Sequence, residues 1–311
     1  MGICGSSSNG EENLPQMPLP FPRVGEVIVF EQIAEGGYSV VFKGADGNGC
    51  SYAVKRMICV EEEQLAMAKH EIDVYKMLNR GEHKNILTLI DSYITPSRTH
   101  PHGSEVYLLF PYYPMTLHDL VNSMKTKRKV FTEEKLLALF SQICEAVLEF
   151  HTRDPPLAVR DIKAANVLLT EDESQCLLMD FGSVAAARQV VRTKNDAVLL
   201  QEEAETTISP SCRPVELFDV QVGLEIDEKT DVWSLGSLLY FMAAQEFAFD
   251  STQGSVHLAA LNGITSFPEE MDGFSSEVKD LITRMCSPPE SRPTLAQAMQ
   301  DLDTLRLFHN K

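Results

Sequence analysis

One stretch constrains this chain more than any other: Ala158-Val159-Arg160-Asp161-Ile162-Lys163-Ala164-Ala165-Asn166-Val167-Leu168-Leu169, with Leu178-Met179-Asp180-Phe181-Gly182 close behind it. A short polar loop here runs straight into an apolar strand, so its Asp, Lys and Asn are carried on a rigid frame. Asp161 is placed to accept a hydroxyl proton, Asn166 and Asp180 offer oxygen ligands for Mg²⁺, and Lys163 supplies a cation for a transferring phosphoryl group. That chemistry depends on positioning and charge neutralisation more than on covalent intermediates, which suits a loop pinned between strands.

These residues resemble the catalytic loop and Asp-Phe-Gly segment of a eukaryotic protein kinase, with Val159 where that family usually has His. The resemblance spans about residues 26–305 and implies an α+β, two-lobed fold: a five-stranded antiparallel sheet plus a helix in the small lobe, and a mainly helical large lobe. The domain boundaries expected from it are a flexible tether over 1–25, a small lobe and hinge over 26–113 and a large lobe over 114–311.

Bulk properties predict a globular, soluble chain. The 311 residues are 44% hydrophobic and 23% charged, enough for a sizeable core. A net charge of −18 argues against nucleic acid as a partner, since phosphate backbones require a basic surface. The seven cysteines are scattered and lack Cys-x-x-Cys spacing, so neither a disulfide framework nor a zinc site is expected.

Between Gly5 and Gly25, Ser, Gly, Asn and four prolines (Pro15, Pro18, Pro20, Pro22) predict a tether without helix or central strand. Strands are predicted at 27–30, 39–42, 51–55, 86–90 and 106–110, from alternation and β-branched content. A helix is predicted over 61–79, with an acidic first turn that complements its dipole. The hairpin Ile33-Ala34-Glu35-Gly36-Gly37-Tyr38-Ser39-Val40 resembles the kinase loop that covers ATP phosphates, with Ala34 and Ser39 in place of two of its three glycines. The resemblance implies that Ala34, Gly36, Gly37 and Val41 border the nucleotide. It also implies that Lys55 pairs the α and β phosphates, that Glu71 is the carboxylate partner of Lys55, and that Phe110 and Tyr112 lie at the hinge beside adenine.

Farther on, Thr132-Glu133-Glu134 opens an amphipathic helix closed by His151, expected to be structural. Residues 199–207 are predicted to be helical, and Asp231-Val232-Trp233-Ser234-Leu235-Gly236 opens a strongly apolar helix. In the kinase family the equivalent of Asp231 hydrogen-bonds the catalytic-loop backbone, and the equivalents of Glu216 and Arg292 form an ion pair.

The loop Ala34-Glu35-Gly36-Gly37-Tyr38-Ser39 is similar to that of the Numb-associated kinases, and the start Met1-Gly2-Ile3-Cys4-Gly5-Ser6 to that of their myristoylated and palmitoylated branch. Gly2 fits an N-myristoyl acceptor and Cys4 a palmitoylation site. One myristoyl chain binds a bilayer only marginally, with a constant on the order of 10⁴ per molar, and a second chain makes the attachment stable. The expectation is therefore a Ser/Thr kinase using ATP and Mg²⁺, with protein substrates, held on the cytoplasmic face of Golgi, trafficking or plasma membranes. The alternative is a pseudokinase-like scaffold, to which Val159 and the altered Cys212-Arg213-Pro214-Val215-Glu216 segment would point.

Overall fold

The computed structural model describes residues 17–37, 39–79, 81, 83–250 and 254–309. Gly2, Cys4 and most of the expected tether lie outside them. The chain divides into two compact units, one of residues 1–76 and 88–112, the other of residues 77–87 and 113–311.

The first unit is a six-stranded antiparallel sheet of β1 (Met17–Phe21), β2 (Gly25–Glu35), β3 (Ser39–Asp46), β4 (Ser51–Cys59), β5 (Asp91–Pro96) and β6 (Ser104–Pro111), in spatial order β1-β2-β3-β4-β6-β5. Two sequence expectations need correction here. The tether expected over 1–25 overlaps a strand, because Met17–Phe21 pairs with β2 in the register Met17↔Val29 to Phe21↔Gly25. Prolines exclude a central strand but not an edge strand, and Leu19 and Phe21 alternate into the core while Pro18 and Pro20 face out. The Arg23 backbone N–H then donates to Asp91 Oδ2 at 2.6 Å.

The strand expected at 86–90 is displaced to Asp91–Pro96. Its apolar residues are instead buried in an extended segment, where Leu87 N donates to Leu178 O and Leu178 N to Asn85 O, both at 2.9 Å. These bonds explain why 77–87 group with the second unit. The sheet is thus six-stranded rather than five-stranded.

Strand parity divides the side chains of the sheet between two faces. Leu19, Phe21, Val27, Val29, Phe42, Val54, Tyr107 and Leu109 form a closed apolar core on one face. Helix α1 (Glu62–Leu78) supplies the partners of the other face. Gly44 of β3 makes the tight β2 crossing possible, since a Cβ there would lie 2.8 Å from Ile28 O.

The second unit is mainly helical: α2 (Leu117–Thr126), α3 (Glu133–His151), α4 (Lys194–Thr207), α5 (Lys229–Ala244), α6 (Val256–Asn262), α7 (Ser276–Met285) and α8 (Leu295–His309). Thr116 caps α2, with Asp119 returning the bond, and Thr132 caps α3, so both helices start where Thr and acidic residues permit. The apolar helix expected from Asp231 begins two residues earlier, and fifteen of its residues, Thr230 to Ala244, are buried. Gly236 lets α5 touch α7, because a Cβ would meet Met285 Cβ at 2.7 Å. A small sheet joins Met115–Thr116, Val167–Leu169 and Cys176–Leu178, and it carries the loop of interest.

Candidate active site

In the first unit, strand register brings the predicted nucleotide-side residues into one row. Ala34 pairs with Val41, Val41 with Lys55 and Lys55 with Leu108, so their side chains share a face. Phe110 lies two residues beyond Leu108 and so points the same way. Helix α1 meets this face one turn apart: Lys55 Nζ donates to Glu71 Oε1 at 2.8 Å and Oε2 at 2.9 Å, and the rings of Tyr75 and Phe110 lie 5.0 Å apart. Glu71 is buried, so the pair fixes the lysine in a defined place.

Gly36 and Gly37 form the turn between β2 and β3, with Gly36 N donating to Ser39 O at 2.7 Å. Ala34 and Ser39 stand within strands, where a side chain is accommodated, which accounts for the two missing glycines. Tyr112 N donates to Ser51 O at 3.4 Å, and Lys43 Nζ sits 4.2 Å above the Tyr112 ring.

In the second unit, the polar loop is held from below by Asp231. Its carboxylate accepts from Val159 N at 2.7 Å and Arg160 N at 2.9 Å, and His151 Nε2 lies 3.0 Å from it. Asp231 is therefore no simple helix cap, and His151 has the structural place expected of it. These bonds hold Arg160 at φ +66°, a left-handed conformation that costs a non-glycine residue about 1–3 kcal/mol unless its surroundings impose it. They use the backbone N–H of Val159, so the loop stays pinned without the family's His. Val159 itself is fully buried, as are Phe150 and Phe181, whose rings pack at 5.1 Å.

On the reactive side, Asp161 Oδ2 accepts from Lys163 Nζ and from Asn166 Nδ2, each at 2.8 Å. Burial raises the Asp161 pKa above its ordinary 3.8; Lys163 and Asn166 pull it down only in part, and the charge of Asp180 adds to the rise. Met179 N donates to Asn166 O at 2.9 Å, which joins the two halves of the site, and Asp180 adopts φ +66°.

The donor set suits a hard cation. Mg²⁺ takes one or two protein oxygen ligands and completes its shell with water and phosphate oxygens. Asn166 Nδ2 is committed to Asp161 O and Oδ2, which leaves Oδ1 as the ligating end of the amide, and Asp180 adds a carboxylate. No cluster of three His, Cys, Asp or Glu able to hold a metal occurs among the described residues.

One feature escaped the sequence reading. Arg160 pairs with Glu203 of α4 and donates to Ala186 O at 3.0 Å, so the helical segment after Asp180 is tied to the loop. The acidic run in α4 was the available signal, but nothing in it singles out Glu203. The expected pair is also present: Arg292 donates to Glu216 Oε1 at 2.8 Å and Oε2 at 2.9 Å, and to Lys229 O and Ser287 O.

A β-sheet unit carrying a Lys–Glu pair and a helical unit carrying Asp161, Lys163 and Asn166 on one strand-anchored loop, with Asp180 after the next two strands, are the features of a phosphotransferase of the two-lobed type. The chain belongs to the protein kinase family, whose domain model matches residues 27–302. It is 34% identical to a probable serine/threonine-protein kinase of Dictyostelium discoideum, over 81% of this chain and 86% of that protein. It is 35% identical to serine/threonine-protein kinase 16 of Homo sapiens over 90% of each chain, and 34% identical to the Mus musculus protein of the same name over 89% of each.

Proposed function

We propose that this protein is a serine/threonine kinase that transfers the γ-phosphate of Mg-ATP to hydroxyls of protein substrates and works at a membrane. The observation that carries the catalytic reading is the single carboxylate oxygen of Asp161, gripped by Lys163 and Asn166 at 2.8 Å each. Mg-ATP supplies the transferable phosphoryl group and the counter-charge on its oxygens. Asp161 accepts the proton of the substrate hydroxyl, its rotamer held by Asn166, and Lys163 offers its charge to the phosphoryl oxygens. Lys55, positioned by Glu71, binds the α and β phosphates. Gly36 and Gly37 keep the covering turn narrow, and Ala34, Val41, Phe110 and Tyr112 border the base and sugar.

The membrane reading rests on Gly2 and Cys4 alone. Among the described residues no helix is long and apolar enough to cross a bilayer. Acylation at Gly2 and Cys4 would instead attach the protein to the cytoplasmic face of Golgi, trafficking or plasma membranes, and Gly2→Ala is then expected to shift it from the membrane to the soluble fraction.

The test is phosphate transfer from Mg-ATP to a Ser/Thr protein substrate by the wild type, Lys55→Ala and Asp161→Asn. Transfer by the wild type and its loss in both variants is the expected result. A folded, nucleotide-binding wild type without transfer would instead favour the scaffold alternative.

A further inference from the structure

The second unit contains a cavity of about 140 Å³ that opens beside the catalytic loop. Its walls are Ala164 and Ala165 of the loop, Leu238 and Phe241 of α5, and Phe247 just beyond that helix. We propose that this cavity is a specificity pocket for an apolar side chain of the protein substrate, within about three residues of the phosphoacceptor. The inference rests on the kinase reading above and names a feature of its substrates.

Position is the first argument. Lys163 lines the cavity and also donates to Asp161 Oδ2, so the pocket lies one side chain away from the carboxylate proposed to receive the acceptor's proton. An extended peptide advances ~3.3 Å per residue, so only near neighbours of the acceptor can reach such a pocket.

Size and lining are the second. An apolar cavity of this volume accommodates a benzene-sized group. The aromatic wall is preorganised: His118 of α2 stacks on Phe241 at 5.8 Å, and Phe241 on Phe247 at 5.0 Å. Phe247 nevertheless remains 46% exposed, an aromatic side chain held at the pocket mouth rather than in the core.

Charge is the third. No carboxylate lines the cavity, and Lys163 is its one permanently charged group. An arginine or lysine of the substrate would find no counter-ion there and would face Lys163. An aspartate or glutamate would draw Lys163 away from Asp161 and the phosphoryl group. Ser209, Ser211, Ser237 and Cys212 complete the wall without charge, the Cys212 thiol being pushed up to about 11 by burial. An apolar side chain is the occupant that leaves the catalytic ion pair undisturbed.

The experiment is a positional-scanning library of Ser/Thr peptides phosphorylated by the full chain with Mg-ATP. The expected result is a preference of about tenfold or more for Leu, Met or Phe over Arg and Glu at one position within three residues of the acceptor. Phe247→Ala, at an exposed site, should raise KM for the preferred peptide while kcat stays within about twofold. Ala165→Glu, also exposed, should move the preference at that position toward Arg. A labelled library with no apolar preference there, or a preference unaltered in both variants, overturns the pocket and leaves the kinase reading standing. A library with no label at all overturns that underlying reading and the pocket with it.

Discussion

Asp161 and Asp231 are two aspartates of the same lobe with opposite uses. Asp231 is fully buried, and its carboxylate is committed to the backbone N–H groups of Val159 and Arg160, with His151 beside it. Asp161 is held by two side chains on a single oxygen, and burial pushes its pKa upward. The first aspartate is a structural clamp satisfied by the fold. The second is held where burial disfavours its ionised form, a setting that suits the role of proton acceptor proposed for it. Orientation of the loop and reactivity of its base therefore come from different carboxylates, and each can be altered separately.

Asp161→Asn separates them most sharply. Transfer should fall by about 10²–10⁴-fold, the range of a lost general base. Because burial disfavours the ionised form of Asp161, thermal unfolding at neutral pH should occur at the wild-type temperature or above it. A large drop in Tm would mean that Asp161 is also structural and would erase the contrast. Asp231→Ala is the converse: removing a buried acceptor from its donors should cost about 3–5 kcal/mol of stability in denaturant unfolding. Wild-type stability in that variant would show that the loop is pinned by something else.

The Glu216–Arg292 pair is a second buried clamp, and a double-mutant cycle on unfolding free energies should give a coupling of about 0.5–3 kcal/mol. Coupling near zero would confine the clamp principle to Asp231. The smallest effect concerns pH. A carboxyl whose folded pKa lies above its unfolded value contributes stability at low pH and loses it as pH rises through the folded pKa. The acid limb of the kcat/KM profile should accordingly lie above 3.8, the ordinary carboxyl value, and Asn at position 161 should remove the pH dependence of stability that this group contributes.

Much of this was legible in the sequence because chemistry at fixed spacing leaves little freedom. Asp161, Lys163 and Asn166 share one loop, and the helices carrying Glu71, His151 and Asp231 have strong caps or apolar faces. The Lys55–Glu71 and Glu216–Arg292 pairs were expected from the resemblance to the kinase family. Strand assignment was less secure. The run Ile86–Ile90 has the composition of a strand, yet Ile86 and Leu87 pair with Leu178 of the second unit, and Ile90 N donates to Leu109 O of β6 without the run forming a strand of that sheet. Prolines at 18 and 20 indicated a tether because local propensity cannot tell an edge strand from a coil. The link from Arg160 to Glu203 joins residues 43 positions apart, the pocket around Phe241 gathers residues from several separate segments, and no local pattern announces either.

The prolines of β1 carry a consequence for the protein's behaviour in a crowded cell. An exposed sheet edge normally offers a row of donors to any extended chain that drifts past, and so invites aggregation. Along Met17–Phe21 the inward pairing with β2 is made by alternate residues, and the intervening outward positions are Pro18 and Pro20, which have no N–H to give. A neighbouring strand would meet two blank positions in five. The edge that extends the sheet also stops it from growing.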